Sequence, residues 1–207
     1  MDRVRVTSRA ALGRAGLPVG RPVLVVVGGA DGMAAGDVRA VAEVLRDLVP
    51  LLDECGAVVV DGGTDAGVVR AVGLARAAAG GAFPLIGVAA QVAVELDAFE
   101  PNHTLLVLVP GDAWGDEVPW VADVAGLVAG SRPSLTVVVN GGRITFDDAE
   151  QSLARRRPLA VLRGTGRTAD AIAARADERS TAIAASPLTT VLDPGELRAH
   201  VERAFRG

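Results

Sequence analysis

Five glycine-rich stretches carry most of the chemical information in this sequence. They are Gly28-Gly29-Ala30-Asp31-Gly32, Asp61-Gly62-Gly63-Thr64-Asp65-Ala66-Gly67, Pro110-Gly111-Asp112, Asn140-Gly141-Gly142 and Gly164-Thr165-Gly166-Arg167. Glycine lacks a Cβ, so backbone N–H groups can approach an anion closely, and a helix that starts there adds a favourable field. Thr64, Thr104 and Thr165 offer hydroxyls to phosphate or ribose oxygens, or else cap turns and helices. Arg167 offers a planar fork that fits a phosphate bidentately, or an ion pair with Asp170 on the next turn. Asp31, Asp61 and Glu117 would repel phosphate; they suit ribose hydroxyls or an exocyclic amine, or else cap turns or face solvent. His103, between Asn102 and Thr104, either contacts a ligand or orders its own loop.

Several other chemistries are excluded. The two histidines, His103 and His200, lack metal-ligand spacing, and the single Cys55 rules out both an intrachain disulfide and a cysteine-rich metal site. The chain contains no lysine, so a Walker-type phosphate loop cannot be built. Gly164-Thr165-Gly166-Arg167-Thr168-Ala169 does fit the dinucleotide fingerprint, with Asp193 closing the next strand, but it falls too late for a dehydrogenase fold to follow. Twenty-one arginines face 25 acidic residues for a net charge of −4, without a basic block, and only six aromatics are present. Nucleic acid is therefore not an expected partner. No apolar run reaches the ~18 residues of a membrane helix, which argues against membrane insertion. The arginine-rich start ahead of Val23–Val27 resembles a secretory signal only superficially. The apolar run is short, begins late and ends in glycines, so we read a strand entering a turn and place the chain in the cytoplasm.

The elements that would hold these loops follow a regular rhythm. Apolar, β-branched runs recur at Val23–Val27, Ala57–Val60, Leu85–Val88, Leu105–Val109, Leu135–Val139, Leu159–Leu162 and Thr189–Leu192. They do not alternate with polar residues, as expected for parallel strands covered on both faces. Helical periodicity fills Asp37–Leu52, Gly67–Ala79, Trp120–Ala129, Thr145–Arg155, Thr168–Glu178 and Glu196–Phe205. The alternation predicts an α/β, Rossmann-like doubly wound fold. It would have a mainly parallel sheet of about seven strands with helices on both faces. Residues 1–22 read as an N-terminal extension and 23–207 as a single nucleotide-binding domain. The segment Ala89–Thr104 shows no clear helix. In such a sheet the glycine loops share the carboxyl edge of the strands, where open α/β sheets bind ligands.

The order of these motifs resembles the SLOG superfamily, in particular its prokaryotic TRPM-like (LSDAT) branch. Gly28–Met33 resembles its first nucleotide loop, and Val60–Val68 is similar to its GGT-x-x-GV signature. Glu100-Pro101-Asn102-His103-Thr104 matches x-PNHT, and Gly115-Asp116-Glu117 matches G-x-E. Asn140-Gly141-Gly142 and Gly164–Asp170 resemble the later GG and [ST]GR-x-[AS]D motifs. The resemblance implies a Rossmann-like cytosolic sensor of nucleotide-derived ligands, ADP-ribose-like in some members. It requires no further cofactor or metal, and leaves self-association or an effector protein open as partners. The implied ligand contacts are Gly28, Gly29, Asp31, Gly32, Gly62, Gly63, Thr64, Gly67, Asn102, His103, Thr104, Gly111, Glu117, Asn140, Gly141, Gly142, Gly164, Thr165, Gly166 and Arg167. A more distant branch, the LOG phosphoribohydrolases, carries PGG-x-GT-x-x-E. Here Asn140 replaces the Pro, Ile144 the third Gly, and Asp148 the catalytic Glu.

Three readings therefore stand. The first is a binding module for a nucleotide-derived ligand. The second is an N-glycosidic hydrolase using Glu117 or Asp148 to stabilise an oxocarbenium-like sugar while a second carboxylate activates water. The third is an interaction protein with a vestigial pocket.

Overall fold

A computed structural model describes residues 1–29, 33–91 and 99–207. Asp31 and Gly32 of the first glycine loop, and part of the segment Ala89–Thr104, lie outside the described residues. The described strands are β1 (Asp2–Arg5), β2 (Val23–Gly28), β3 (Val58–Asp61), β4 (Leu85–Ala90), β5 (Leu105–Val109), β6 (Ser134–Val139), β7 (Leu159–Leu162) and β8 (Thr189–Leu192). They form one sheet in the order β1-β5-β4-β3-β2-β6-β7-β8, and every pairing is parallel.

Successive residues of each strand face opposite layers, as the two-residue period demands. Leu24, Val26 and Val59 pack on one face beneath helices α2 (Ala35–Arg46), α3 (Val49–Glu54), α4 (Gly67–Ala79) and the C-terminal helix (Leu197–Arg206). Val23, Val25, Val58 and Val60 pack on the other. That face lies beneath α1 (Arg9–Leu12), α5 (Val118–Ala129), α6 (Arg143–Ala154), α7 (Arg167–Ala174) and α8 (Glu178–Ala185). Two buried layers account for the uninterrupted apolar strands.

The structure differs from the sequence reading in three places. The sheet has eight strands, and the additional one is β1, from the segment assigned to an N-terminal extension. Its sequence, Asp-Arg-Val-Arg, is mostly exposed because it sits at a sheet edge, so it lacks the buried signature used to find the others. The expected helix 37–52 is two helices. Pro50 stands in the first turn of α3, and its ring is incompatible with a continuous helix through the preceding turn. The expected helix 168–178 ends at Ala174. Arg175 adopts a left-handed conformation, and Asp177 restarts the chain as a cap that accepts the Ser180 amide at 2.7 Å.

From β2 the chain proceeds outward through β3, β4 and β5, then returns to place β6 against the other side of β2. The strand order reverses between β2 and β6, and a crevice opens there at the carboxyl edge. The end of β2 is crowded by β6 and by Val68 of α4. A Cβ on Gly28 would stand 2.1 Å from the Val139 carbonyl oxygen. Gly28 is thus required by the sheet itself.

Candidate functional site

A cavity of about 490 Å³ occupies the crevice. Its floor is the end of β2, Val26 to Gly29, with Ala89 and Ala90 from the end of β4. One wall is the turn after β3, with Gly62 and Thr64 to Ala66 leading into α4. A second wall is Gly142 to Thr145, where α6 begins, and Arg167 at the first position of α7. Trp114 and Glu117, just before α5, complete it with Asp148 from the second turn of α6. Three helices, α4, α6 and α7, therefore start at the cavity with their partial positive ends toward it. Neither α4 nor α7 has a side-chain cap at its start.

The two ends of this cavity differ in charge. At the glycine end the Arg167 guanidinium lies over Gly142 and beside Gly29. Cβ atoms built on those glycines would stand 3.1 and 3.5 Å from its terminal nitrogens. At the other end stand two carboxyl groups. Burial pushes the Glu117 carboxyl above its ordinary pKa, although its Oε2 accepts the Gly115 amide at 2.9 Å. Burial, then the neighbouring Glu117 and Asp147 charges, lift Asp148 to about 8. A phosphate is welcome at the first end; a neutral, hydrogen-bonding group is welcome at the second.

Of the residues singled out in the sequence, Gly28, Gly29, Gly62, Thr64, Glu117, Gly142, Arg167 and Asp148 meet on this cavity. A second set stands behind the wall and shapes it. Asn140, with φ +53°, donates its side-chain amide to the Thr165 carbonyl at 2.6 Å, and its backbone N–H meets Thr165 Oγ1 at 2.8 Å. Thr165 Oγ1 in turn donates to the Leu162 carbonyl. The loops after β6 and β7 are knitted together by these bonds, which spend the Thr165 hydroxyl away from any ligand. Gly141, Gly164, Gly166 and Gly67 take positive φ values that favour glycine. Gly63, at φ +71°, backs onto Gly87 and Leu106 rather than the cavity. Gly111 packs against Asp116, whose carboxylate accepts the Asp112 and Ala113 amides. The Asp170 carboxylate is turned to the Gly164 and Gly166 amides, at 2.6 and 3.1 Å, and braces the loop instead of pairing with Arg167.

A third set lies elsewhere. Thr104 Oγ1 donates to the Leu85 carbonyl at 3.0 Å and accepts the Leu85 amide at 3.1 Å, so it stitches β4 to β5. Asn102 donates its backbone and side-chain N–H groups to the Glu100 carboxylate. His103 Nε2 meets Asp61 Oδ1 at 2.8 Å, and His103 Nδ1 meets Glu100 Oε2 at 2.9 Å, all three side chains buried. Asp61, for which the sequence left open a ribose or amine ligand or a cap, is thereby removed from the cavity surface and caps the turn by accepting the Gly63 amide. The reason is register: β3 ends opposite Gly87, in the middle of β4, so Asp61 lies inside the sheet's upper layer instead of at its rim.

Sequence reading missed Trp114, Arg143 and the helix-start residues Asp65 and Ala66. Trp114 carried no signal in the sequence, because its 48% exposure beside the cavity is set by the fold. Arg143 directly follows Gly141-Gly142 and could have been paired with it.

A crevice at a topological switch point, lined by glycine turns and helix starts, defines a Rossmann-like ligand-binding architecture. A family profile described as "SLOG in TRPM, prokaryote" matches residues 21–202, and the chain belongs to that family. No curated protein matches its sequence. Among solved structures, the fold is shared with the molybdenum cofactor carrier protein of Chlamydomonas reinhardtii. The two are 17% identical, with a TM-score of 0.65 over 90% of this chain and 99% of that one. The molybdenum cofactor binding protein of the phototrophic bacterium Rippkaea orientalis is similar too. It is 12% identical, with a TM-score of 0.62 over 88% and 96%. No helix among the described residues is long and apolar enough to cross a membrane.

Proposed function

We propose that this chain is a cytoplasmic sensing module that binds a phosphate-bearing, nucleotide-derived ligand of the ADP-ribose type. The observation that carries the reading is the convergence of three helix starts, the Gly28-Gly29 turn and Arg167 on one cavity. The ligand's phosphates would lie at that end, against backbone N–H groups and the arginine fork. Its ribose or base would lie toward Trp114, Glu117 and Asp148, where hydrogen-bond donors meet carboxyl oxygens. The family membership supports a small-molecule ligand, as do the names of the structural neighbours, which are described as carrying or binding the molybdenum cofactor.

Thermal unfolding tests the reading. A ligand at 100 times its dissociation constant adds about 2.7 kcal/mol to the native state. ADP-ribose and ADP should raise the melting temperature, and adenosine should raise it less. Equal shifts with adenosine and ADP-ribose would remove the phosphates from the glycine end. Mass spectrometry of small molecules that co-purify with the protein identifies the natural ligand.

One observation favours a second reading, N-glycosidic hydrolysis. Glu117 and Asp148 share the cavity, and an acid lifted to about 8 is protonated at neutral pH. A carboxylate beside the sugar would stabilise an oxocarbenium-like centre, and the protonated partner would donate to the departing base. Incubation with nucleotides followed by chromatography separates the readings: the sensing module returns the nucleotide intact.

A further inference from the structure

The buried cluster of Asp61, His103 and Glu100 takes no part in the cavity wall, yet it touches the wall from behind. The side chains of Asp61 and His103 are fully buried and that of Glu100 is 2% exposed. An apolar set of equal volume would fill this space at lower desolvation cost. What an apolar set could not do is direct a backbone amide. Asp61 Oδ1 accepts both His103 Nε2 and the Gly63 N–H, each at 2.8 Å. That pair of bonds fixes the turn from which Gly62 and Thr64 face the cavity.

The anchor at the other end is equally determined. Glu100 Oε2 accepts the Asn102 amide and meets His103 Nδ1, while Oε1 accepts the Asn102 side chain at 2.6 Å. The carboxylate lies on α4 where a side chain would otherwise be: a Cβ on Gly73 would stand 2.0 Å from Glu100 Cδ. Backbone bonds run the same way, with Glu100 N–H donating to the Gly63 carbonyl and Thr64 bridging Phe99. Arg70 of α4 adds its field at Glu100, and Arg76 donates to the Asn102 carbonyl. Both imidazole nitrogens face carboxylate oxygens. A neutral ring has one N–H and would set a lone pair against the other oxygen; a ring with two N–H groups satisfies both.

We propose that His103 is a positioning residue for the ligand cavity: clamped between Asp61 and Glu100, it ties the Gly62–Thr64 wall to α4 and so sets the surface a phosphate meets. The effect on affinity rests on the ligand reading above; the effect on the wall does not. His103 touches no ligand and acts through Asp61 and Gly63.

The chain has only two histidines, so a ¹⁵N-histidine label reports directly. Near pH 8, about 1.5 units above the ordinary imidazole pKa, one ring should carry two N–H groups and the other one. The doubly protonated signal should vanish in His103→Gln. Amide exchange in Gly63–Ala66 should quicken by about tenfold or more in His103→Gln, the loss expected for a charged hydrogen bond. Exchange in residues 164–167 should stay as in the parent. Pyrophosphate affinity should fall by a similar factor, roughly tenfold. Glu100→Gln keeps an acceptor toward Nδ1 and should produce a smaller change of the same pattern; it carries the test if His103→Gln does not fold. A neutral His103 signature, unchanged exchange at 63–66, or quickening spread evenly over the molecule would overturn the proposal. If the parent does not bind pyrophosphate, the ligand reading fails, and the local exchange pattern alone decides the positioning role.

Discussion

Two glycine turns face each other across the crevice, and they are held in opposite ways. After β3, the turn at Gly62–Thr64 is braced by Asp61, a buried carboxylate bonded to a buried histidine. After β7, the turn at Gly164–Arg167 is braced by Asp170, a half-buried carboxylate bonded to two loop amides. The device is the same, a carboxylate accepting glycine N–H groups. The surroundings differ, and with them the consequences. A buried charge that loses its partner pays the full desolvation cost, whereas one partly open to solvent is in part taken up by water. The first turn should therefore be rigid and fragile to mutation, and the second adaptable and tolerant, which suits the arginine it presents.

The comparison breaks most severely at Gly73. Gly73→Ala drives a methyl group into the Glu100 carboxylate and leaves His103 and Asp61 without their counterpart. Chemical denaturation should show a loss of about 3–5 kcal/mol, the range for breaking a buried ion pair. A loss under about 1 kcal/mol, the range of a surface pair, would mean the cluster is not tightly packed.

The pH dependence of stability sharpens the contrast further. Burial lowers the His103 pKa, but Asp61 and Glu100 outweigh it and carry it from 6.5 up to about 10. A group whose pKa rises on folding stabilises the native state fully below its unfolded value. That stability is lost as pH climbs through the folded value. The parent should thus lose stability between about pH 6.5 and 10, and His103→Leu, already weaker, should be flatter over that window. Melting curves across the window check this, with Asp170→Asn retaining the parental slope.

Arg167 tests the opposite wall. Arg167→Ala should weaken binding of ADP-ribose or pyrophosphate by about 1.5–3 kcal/mol, the range for a charged hydrogen bond. Arg167→Lys should recover only part of it, because an ammonium lacks the fork. Any change in unliganded stability measures what Arg167 contributes to the fold itself. Calorimetric titration beside thermal melts separates the two quantities, and a variant that binds as tightly as the parent would remove Arg167 from the site.

The smallest effect is expected at the acidic end. The Asp148 pKa is raised on folding, from 3.8 to about 8, so its ionisation opposes folding increasingly as pH rises from the first value to the second. Asp148→Asn removes that penalty and should stabilise the unliganded protein by about 0.5–2 kcal/mol near neutral pH, the range of single stabilising substitutions. A destabilised variant would show that Asp148 supports the fold.

Much of this was legible in the linear sequence. Seven strand positions, the parallel sheet and the gathering of glycine loops at one edge follow from apolar runs and turn residues, because burial on both faces and positive φ leave direct compositional traces. Gly28, Gly62, Gly142 and Arg167 were picked out as members of glycine-rich turns, and they line the cavity. β1 was not, since an edge strand carries no buried run, and the break before α3 required weighing Pro50 against an otherwise continuous apolar stripe.

What the tertiary structure alone decided is which way each polar residue turns. Asp61, His103 and Asp148 could each be given candidate roles from the sequence, but not a partner. The register of β3 against β4 sends Asp61 inward, to meet a histidine 42 positions away. The second turn of α6 places Asp148 beside Glu117 from another loop. Local sequence sets backbone conformation over a few residues, so it can specify a turn. The partner of a charge, and with it the local dielectric and protonation state, is set by chain segments far apart in sequence, and only the folded sheet brings those together.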